Sequence, residues 1–258
     1  MQAKRLLINT LSKIARGIGI LAIIYICMVL YLVLSERHIA FPRAEANKTA
    51  RASLPREMKS CETDDGKKLQ GWISNDSATE TIVYFADVGE DAATFLSEAS
   101  KLKNYRIAGF NYRGSAGSEG TPEEKYFESD SKGILNCVNG KSVILIGRGF
   151  GSILAYNFYR EGLAKQAILI DPMPSIASGI SSHYKIFFPE FLVRTKISMQ
   201  KATFPKEKEA YIIQDSPERK ELVQKTLSAI PGNFIVINRG GKSLLGALNT
   251  ILDKINIK

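Results

Sequence analysis

The stretch that most limits how this chain can fold is Val143-Ile144-Leu145-Ile146-Gly147-Arg148-Gly149-Phe150-Gly151-Ser152. Four consecutive apolar residues, three of them β-branched, run into glycines at every second position. Ile153-Leu154-Ala155-Tyr156-Asn157-Phe158 then follows with helical character. The pattern predicts a buried strand, a tight turn and a helix. Gly147 and Gly151 stand as the small residues of a Gly-x-Ser-x-Gly frame, which lets strand and helix pack closely around an exposed hydroxyl. The central residue here is Gly149, so the frame is present without its serine.

Around this unit the chain alternates short apolar strands with helical segments. Residues 61–73 predict a hairpin with Asp65-Gly66 as its turn and a half-buried strand carrying Trp72. Strands follow at 81–85, 106–110, 167–171, 210–213 and 234–237. Helices are expected after residue 89, over 122–138, around 222–227 and over 244–255, with a proline-punctuated stretch between 172 and 205. Strands alternating with helices predict an α/β fold with a mostly parallel sheet covered on both faces.

Gly17 to Leu34 is an uncharged run of eighteen residues, about 27 Å as a helix and close to the thickness of a bilayer's hydrocarbon. It is longer than the apolar core of a signal peptide, and Ser35-Glu36-Arg37-His38 follows it in place of a small-x-small cleavage site. The expectation is an uncleaved anchor spanning a lipid bilayer through residues 17–34. Lys4, Arg5, Lys13 and Arg16 precede it and only Arg37 and Arg43 follow closely, which places residues 1–16 in the cytoplasm and the remainder outside. Residues 35–57, polar and mixed, read as a juxtamembrane tether or first edge segment ahead of a domain over 58–258.

Those four N-terminal basic residues supply nearly half of the net charge of +9. The rest is spread out, with no basic stripe interleaved with aromatics, which argues against nucleic-acid binding. Of three cysteines, Cys27 lies in the apolar run. Cys61 and Cys137 are expected as free buried thiols rather than a pair. No cluster of His, Cys or carboxylates has ligand spacing, so no metal or cofactor is expected.

Three segments together resemble the α/β-hydrolase superfamily, in particular its small membrane-anchored branch related to serine aminopeptidases and acyl hydrolases. They are Asp65-Gly66 to Gly71-Trp72, Asn111-Tyr112-Arg113-Gly114 to Gly117-Ser118-Glu119-Gly120, and the Gly147 to Gly151 elbow. In the second, Asn111 replaces an Asp and Ala116 a Gly of the family's pattern. The resemblance implies an α/β-hydrolase fold, a mostly parallel doubly wound sheet, after the N-terminal helix.

It also implies where a catalytic triad would sit, and the residues there are substituted. Gly149 occupies the nucleophile position and offers no oxygen. The acid position falls at Asp215 or Glu218. The histidine position, after the last strand, matches Lys242. One oxyanion-hole donor would be the N–H of Phe150, the other a group in the loop Ala86-Asp87-Val88-Gly89, where Asp87 puts a carboxylate near the place where negative charge would develop. Ala86, Asp87, Gly149 and Phe150 would line the cleft. Ser152, on the helix, and Ser115 and Ser118, in turns, are the serines weighed as relocated nucleophiles; His183, in 172–205, and His38, beside the apolar run, are the only imidazoles.

The expected protein is therefore membrane-anchored and catalytically silent, a binding or scaffold module for a small molecule, lipid or protein. The alternative is an active esterase, lipase or peptidase with a relocated nucleophile. A third is a structural subunit whose pocket is filled by its own side chains.

Overall fold

The computed structural model describes residues 2–201 and 208–257. A long helix, α1 (Gln2–Leu34), is followed by two short ones, α2 (Glu36–Ala40) and α3 (Lys48–Ala52). Then come β1 (Lys59–Glu62), β2 (Lys68–Ser74), β3 (Glu80–Phe85), α4 (Ala92–Ala99), β4 (Tyr105–Phe110), α5 (Glu124–Val138), β5 (Ser142–Arg148) and α6 (Phe150–Arg160). The chain continues through β6 (Gln166–Ile170), α7 (Ile176–Tyr184), 3-10 turns at Lys185–Phe187 and Glu190–Leu192, and β7 (Glu209–Gln214). A third 3-10 turn at Pro217–Arg219 leads into α8 (Lys220–Ala229), β8 (Asn233–Asn238) and α9 (Leu244–Ile257).

The strands form one eight-stranded sheet in the order β1-β2-β4-β3-β5-β6-β7-β8. From β4 to β8 every pairing is parallel; β2 alone runs against its neighbours. β3, β4, β5 and β6 are buried almost without alternation, which requires cover on both faces and explains their continuous apolar sequences. β8 is the half-exposed edge.

The segment Asn111 to Gly120 anchors a buried polar network through Arg113. Arg113, 4% exposed, donates to Asp130 at 2.6 and 2.7 Å and to Asp65 at 2.8 and 2.9 Å, with the Tyr126 ring 3.8 Å from its guanidinium. The hairpin turn, the loop after β4 and α5 thus converge on one cation. Its two carboxylates hold the Arg113 pKa above its usual value, and Arg113 in turn holds Asp65 well below the usual carboxylate range. Two residues of this segment carry strain or an unmet polar group: Ala116 adopts a left-handed φ of 47°, a conformation a glycine would take without strain, and the Asn111 Nδ2 is buried without a partner.

Residues 35–57, read as a tether or first edge segment, pack on the sheet domain: Ala40, Phe41, Ala44, Ala50 and Leu54 are buried, and Phe41 stacks on Phe127 at 4.6 Å. Their apolar residues are few and scattered, so no periodicity marks the burial. One expectation is corrected here. Cys61 and Cys137 are not free thiols but form a disulfide, because α5 packs against β1 and brings their Cα atoms to 5.9 Å. A separation of 76 residues gives that contact no local signature.

Glu36 fixes α1 and α2 to the body. Its buried carboxylate accepts from Arg194 N (2.8 Å), Arg194 Nε (2.9 Å), Thr195 N (2.7 Å) and Thr195 Oγ1 (2.9 Å). Burial raises its pKa, but the bonds from Arg194 and Thr195 outweigh that and hold it below the usual 4.5. A carboxylate lowered in the folded state stabilises above its unfolded pKa and loses that contribution as pH falls through the folded value. Glu36→Gln is therefore expected to cost about 2 kcal/mol at pH 7, with the gap to wild type closing as pH falls below the usual 4.5 and through the lowered folded value. Urea denaturation of both proteins across pH checks this; a gap that does not change with pH would assign the stabilisation elsewhere.

Candidate functional site

The elbow lies where β5 ends and α6 begins, at the carboxyl ends of the parallel strands. Gly149 takes φ 51° and ψ −112°, a strained corner for any residue with a Cβ. Gly147 and Gly151 are required by contact: a Cβ on Gly151 would strike the Phe85 and Ala86 carbonyls, and one on Gly147 the Gly151 carbonyl. Strand and helix meet through bare backbone.

The Asp87 carboxylate sits over this corner. Its Oδ1 accepts from the Phe150 N–H at 2.9 Å and from the Val88 N–H at 2.9 Å, while Oδ2 accepts from Arg219 Nη2 at 2.7 Å. The backbone donor after the elbow residue and a donor of the β3–α4 loop thus converge on one oxygen, the arrangement that would hold an oxyanion. A side chain of the protein already fills it. The carboxylate also takes the space a side chain at 149 would need, since a Cβ built on Gly149 lands on it. Arg219 balances its charge from the 3-10 turn before α8, 132 residues away in sequence.

Asp215 follows β7 and pairs with Arg148 at 3.4 Å and with Arg239, just after β8. An arginine therefore faces the acid from the loop expected to carry the imidazole. It is Arg239 and not Lys242; Lys242 is exposed and meets Arg239 only through backbone and side chain-to-carbonyl bonds. Glu218 is exposed at the cleft. Arg148 also reaches Glu90 at 3.5 Å, and Glu90 accepts from the Tyr84 hydroxyl at 2.8 Å. Burial pushes the Glu90 pKa up, against the pull of Arg148. Asp171, with a left-handed φ of 46°, accepts the Asp215 N–H at 2.7 Å and the Ser216 N–H at 2.9 Å and so shapes the loop that presents Asp215; burial raises its pKa despite these bonds.

The serines weighed as relocated nucleophiles are committed to structure. Ser152 is wholly buried and donates to the Gly149 carbonyl. Ser115 accepts the Ala44 N–H at 3.2 Å; Ser118 accepts the Gln70 N–H and donates to the Asn111 carbonyl, both at 2.9 Å.

In front of Asp87 and Phe150 opens a cleft of about 970 Å³. Its walls combine Leu32 of α1, Ile39 of α2, Met173 of the loop before α7, Ile180 of α7 and Leu222 of α8 with polar groups, among them Glu218 and Arg219, and the exposed His38 and His183 stand along it. Ala86 is buried behind Asp87, its carbonyl accepting from the Tyr112 hydroxyl. Among the described residues no group of three or more His, Cys, Asp or Glu could hold a metal ion.

The residues that sequence reasoning did not single out are Arg219, Arg148, Arg239, Glu90 and Asp171. Arg148 lies inside the elbow motif itself, and an arginine between two elbow glycines was the one local sign of a charged network beneath it. The others come from loops far apart in sequence.

No family model and no curated protein sequence matches the chain. Solved structures do. An alpha-beta hydrolase from Vibrio vulnificus superimposes with a TM-score of 0.67 at 18% identity, over 87% of this chain and 91% of that one. An esterase from Pyrococcus furiosus gives 0.61 at 15% identity, over 83% and 95%. A proline iminopeptidase-related protein from Thermus thermophilus gives 0.56 at 14%, over 77% and 96%. The fold is that of the α/β hydrolases.

Proposed function

We propose that this protein is a membrane-anchored α/β-hydrolase-fold receptor that binds a small apolar or amphipathic ligand in its cleft and does not hydrolyse it. The observation that carries the reading is the Asp87 carboxylate on the N–H groups of Phe150 and Val88. A carboxylate there repels the developing oxyanion of an acyl transfer and takes the donors that would stabilise it. With Gly149 beneath it and Asp215 bonded to arginines instead of an imidazole, the nucleophile, its base and the oxyanion donors are all unavailable together. The open cleft favours binding over a purely structural role: its volume lies within the range of about 300–1,000 Å³ that ligand pockets occupy.

Anchoring rests on α1, whose Ile8–Leu34 stretch is long and apolar enough to cross a membrane and is almost wholly exposed. A core helix of that composition would be buried. The basic residues before it favour a cytoplasmic N-terminus, and the Cys61–Cys137 disulfide suits a domain in an oxidising compartment.

The test uses the full chain in detergent micelles with a fluorophosphonate probe and a functioning serine hydrolase as control. The wild type is expected to remain unlabelled; a single labelled serine would overturn the reading and name a relocated nucleophile. In a thermal-shift screen of fatty acids, lysophospholipids and acylated peptides, a ligand at a hundred times its Kd should raise Tm by about 5–10 °C.

A further inference from the structure

We infer that the segment Lys185–Leu192, between α7 and β7, is a second membrane contact, dipping into the outer leaflet beside α1. Ile186 and Phe191 are 70% and 83% exposed and Phe187 is 40% exposed, an uncommon concentration of large apolar side chains on one short stretch of a folded body. What covers them is indicated by their neighbour. The Tyr25 hydroxyl donates to the Ile186 carbonyl at 2.8 Å, and the rings of Tyr25 and Phe187 lie 6.1 Å apart. Tyr25 is in the middle of the uncharged run, roughly 14 Å of helix before Leu34. If α1 crosses a bilayer, whatever touches Tyr25 from the domain sits at the level of the acyl chains.

The charges around the segment agree with this depth. Lys185 pairs with Glu221 at 3.1 Å and Lys225 with Glu190, so the ions beside the patch are neutralised in pairs. At the C-terminal end of α1, Arg194 pairs with Glu36 and donates to the Val33 carbonyl, each at 2.9 Å, and Arg37 pairs with Glu123 at 3.7 Å; both arginine side chains stay at least half exposed. That level suits phosphate headgroups, with the apolar patch beyond it. The apolar surface is thereby continuous from α1 onto the domain, and the cleft, whose wall includes Tyr31 and Leu32 of α1, opens next to it.

This inference rests on the reading of α1 as an anchor, and the test separates the two. The full chain with Cys27→Ser is reconstituted in phosphatidylcholine–phosphatidylglycerol vesicles. An environment-sensitive fluorophore is attached, without reductant, to one of three added cysteines: Phe191→Cys, Ile20→Cys in the anchor, or the exposed Leu163→Cys elsewhere on the domain. Lipids with nitroxides on their acyl chains are expected to remove most emission at 20 and at 191 and leave 163 bright. Quenching at 20 with 191 as bright as 163 would overturn the inference and leave the anchor. Loss of quenching at both 20 and 191 would overturn the anchor and the inference with it. A blue-shifted but unquenched label at 191 would mean that a protein surface covers the patch, which also overturns it.

Discussion

Gly149→Ser, the substitution that places a serine at the corner between β5 and α6, is expected to destabilise the domain by roughly 3–5 kcal/mol and to leave it unreactive towards a fluorophosphonate. The first cost is conformational: at φ 51° and ψ −112° a residue with a Cβ pays about 1–3 kcal/mol that glycine does not. The second is collision. The new Cβ falls on the Asp87 carboxylate, which must leave the Phe150 and Val88 N–H groups and its ion pair with Arg219. The displaced carboxylate can turn to the open cleft and be solvated there, so the net loss of these charge-assisted bonds together is about 2 kcal/mol. In an Asp87→Ala background the collision is gone and only the conformational term remains, so the two changes should couple by about 2 kcal/mol. Denaturant unfolding of the four proteins of this cycle measures it. A Gly149→Ser cost that is the same with and without Asp87 would show that the carboxylate does not guard the corner. Even the double variant should hydrolyse esters poorly, because Asp215 remains paired with Arg148 and Arg239 and no imidazole meets it.

Why so much of the fold, and so little of the site's charge network, can be read from residues alone follows from the range of the interactions. The elbow announces itself because an apolar run, glycines two apart and a helical segment are all local, and local patterns survive in one sequence. The Asp65-Gly66 hairpin and the loop after β4 are legible for the same reason. Asp87 falls in a loop adjoining a strand end, so its proximity to the elbow follows from parallel strands ending at one edge. Arg219 and Arg239 reach the site from later loops through long flexible side chains, and nothing in their sequence neighbourhood sets them apart from other surface arginines. Lys242 drew attention through its place after the last strand, yet a position on a loop does not determine which cation reaches the acid. The packing of residues 35–57 has no local signature because Phe41, its largest buried side chain, meets rings far along the sequence, Phe127 and Phe150.

Removing the disulfide by Cys61→Ala with Cys137→Ala should produce a loss of similar size. By chain entropy, a cross-link closing a loop of 76 residues restricts the unfolded chain by about 4–4.5 kcal/mol. For a domain of this length that corresponds to a fall in Tm of roughly 9–18 °C, read by circular dichroism. The bridge ties β1, the first strand at the sheet's antiparallel edge, to the last turn of α5, so its loss should loosen that edge and spare the elbow at the sheet's centre. Hydrogen exchange would show protection falling in β1 and β2 and holding in β5. The same pair reports on topology, because a structural disulfide persists outside the reducing cytoplasm. Protein isolated from its native membrane under non-reducing, denaturing conditions should then react with one maleimide-polyethylene glycol, at Cys27, and with three after reduction. Three reactive thiols before reduction would place the domain in a reducing compartment and reverse the proposed orientation of α1, since the cation bias and the disulfide would then point to opposite sides of the membrane.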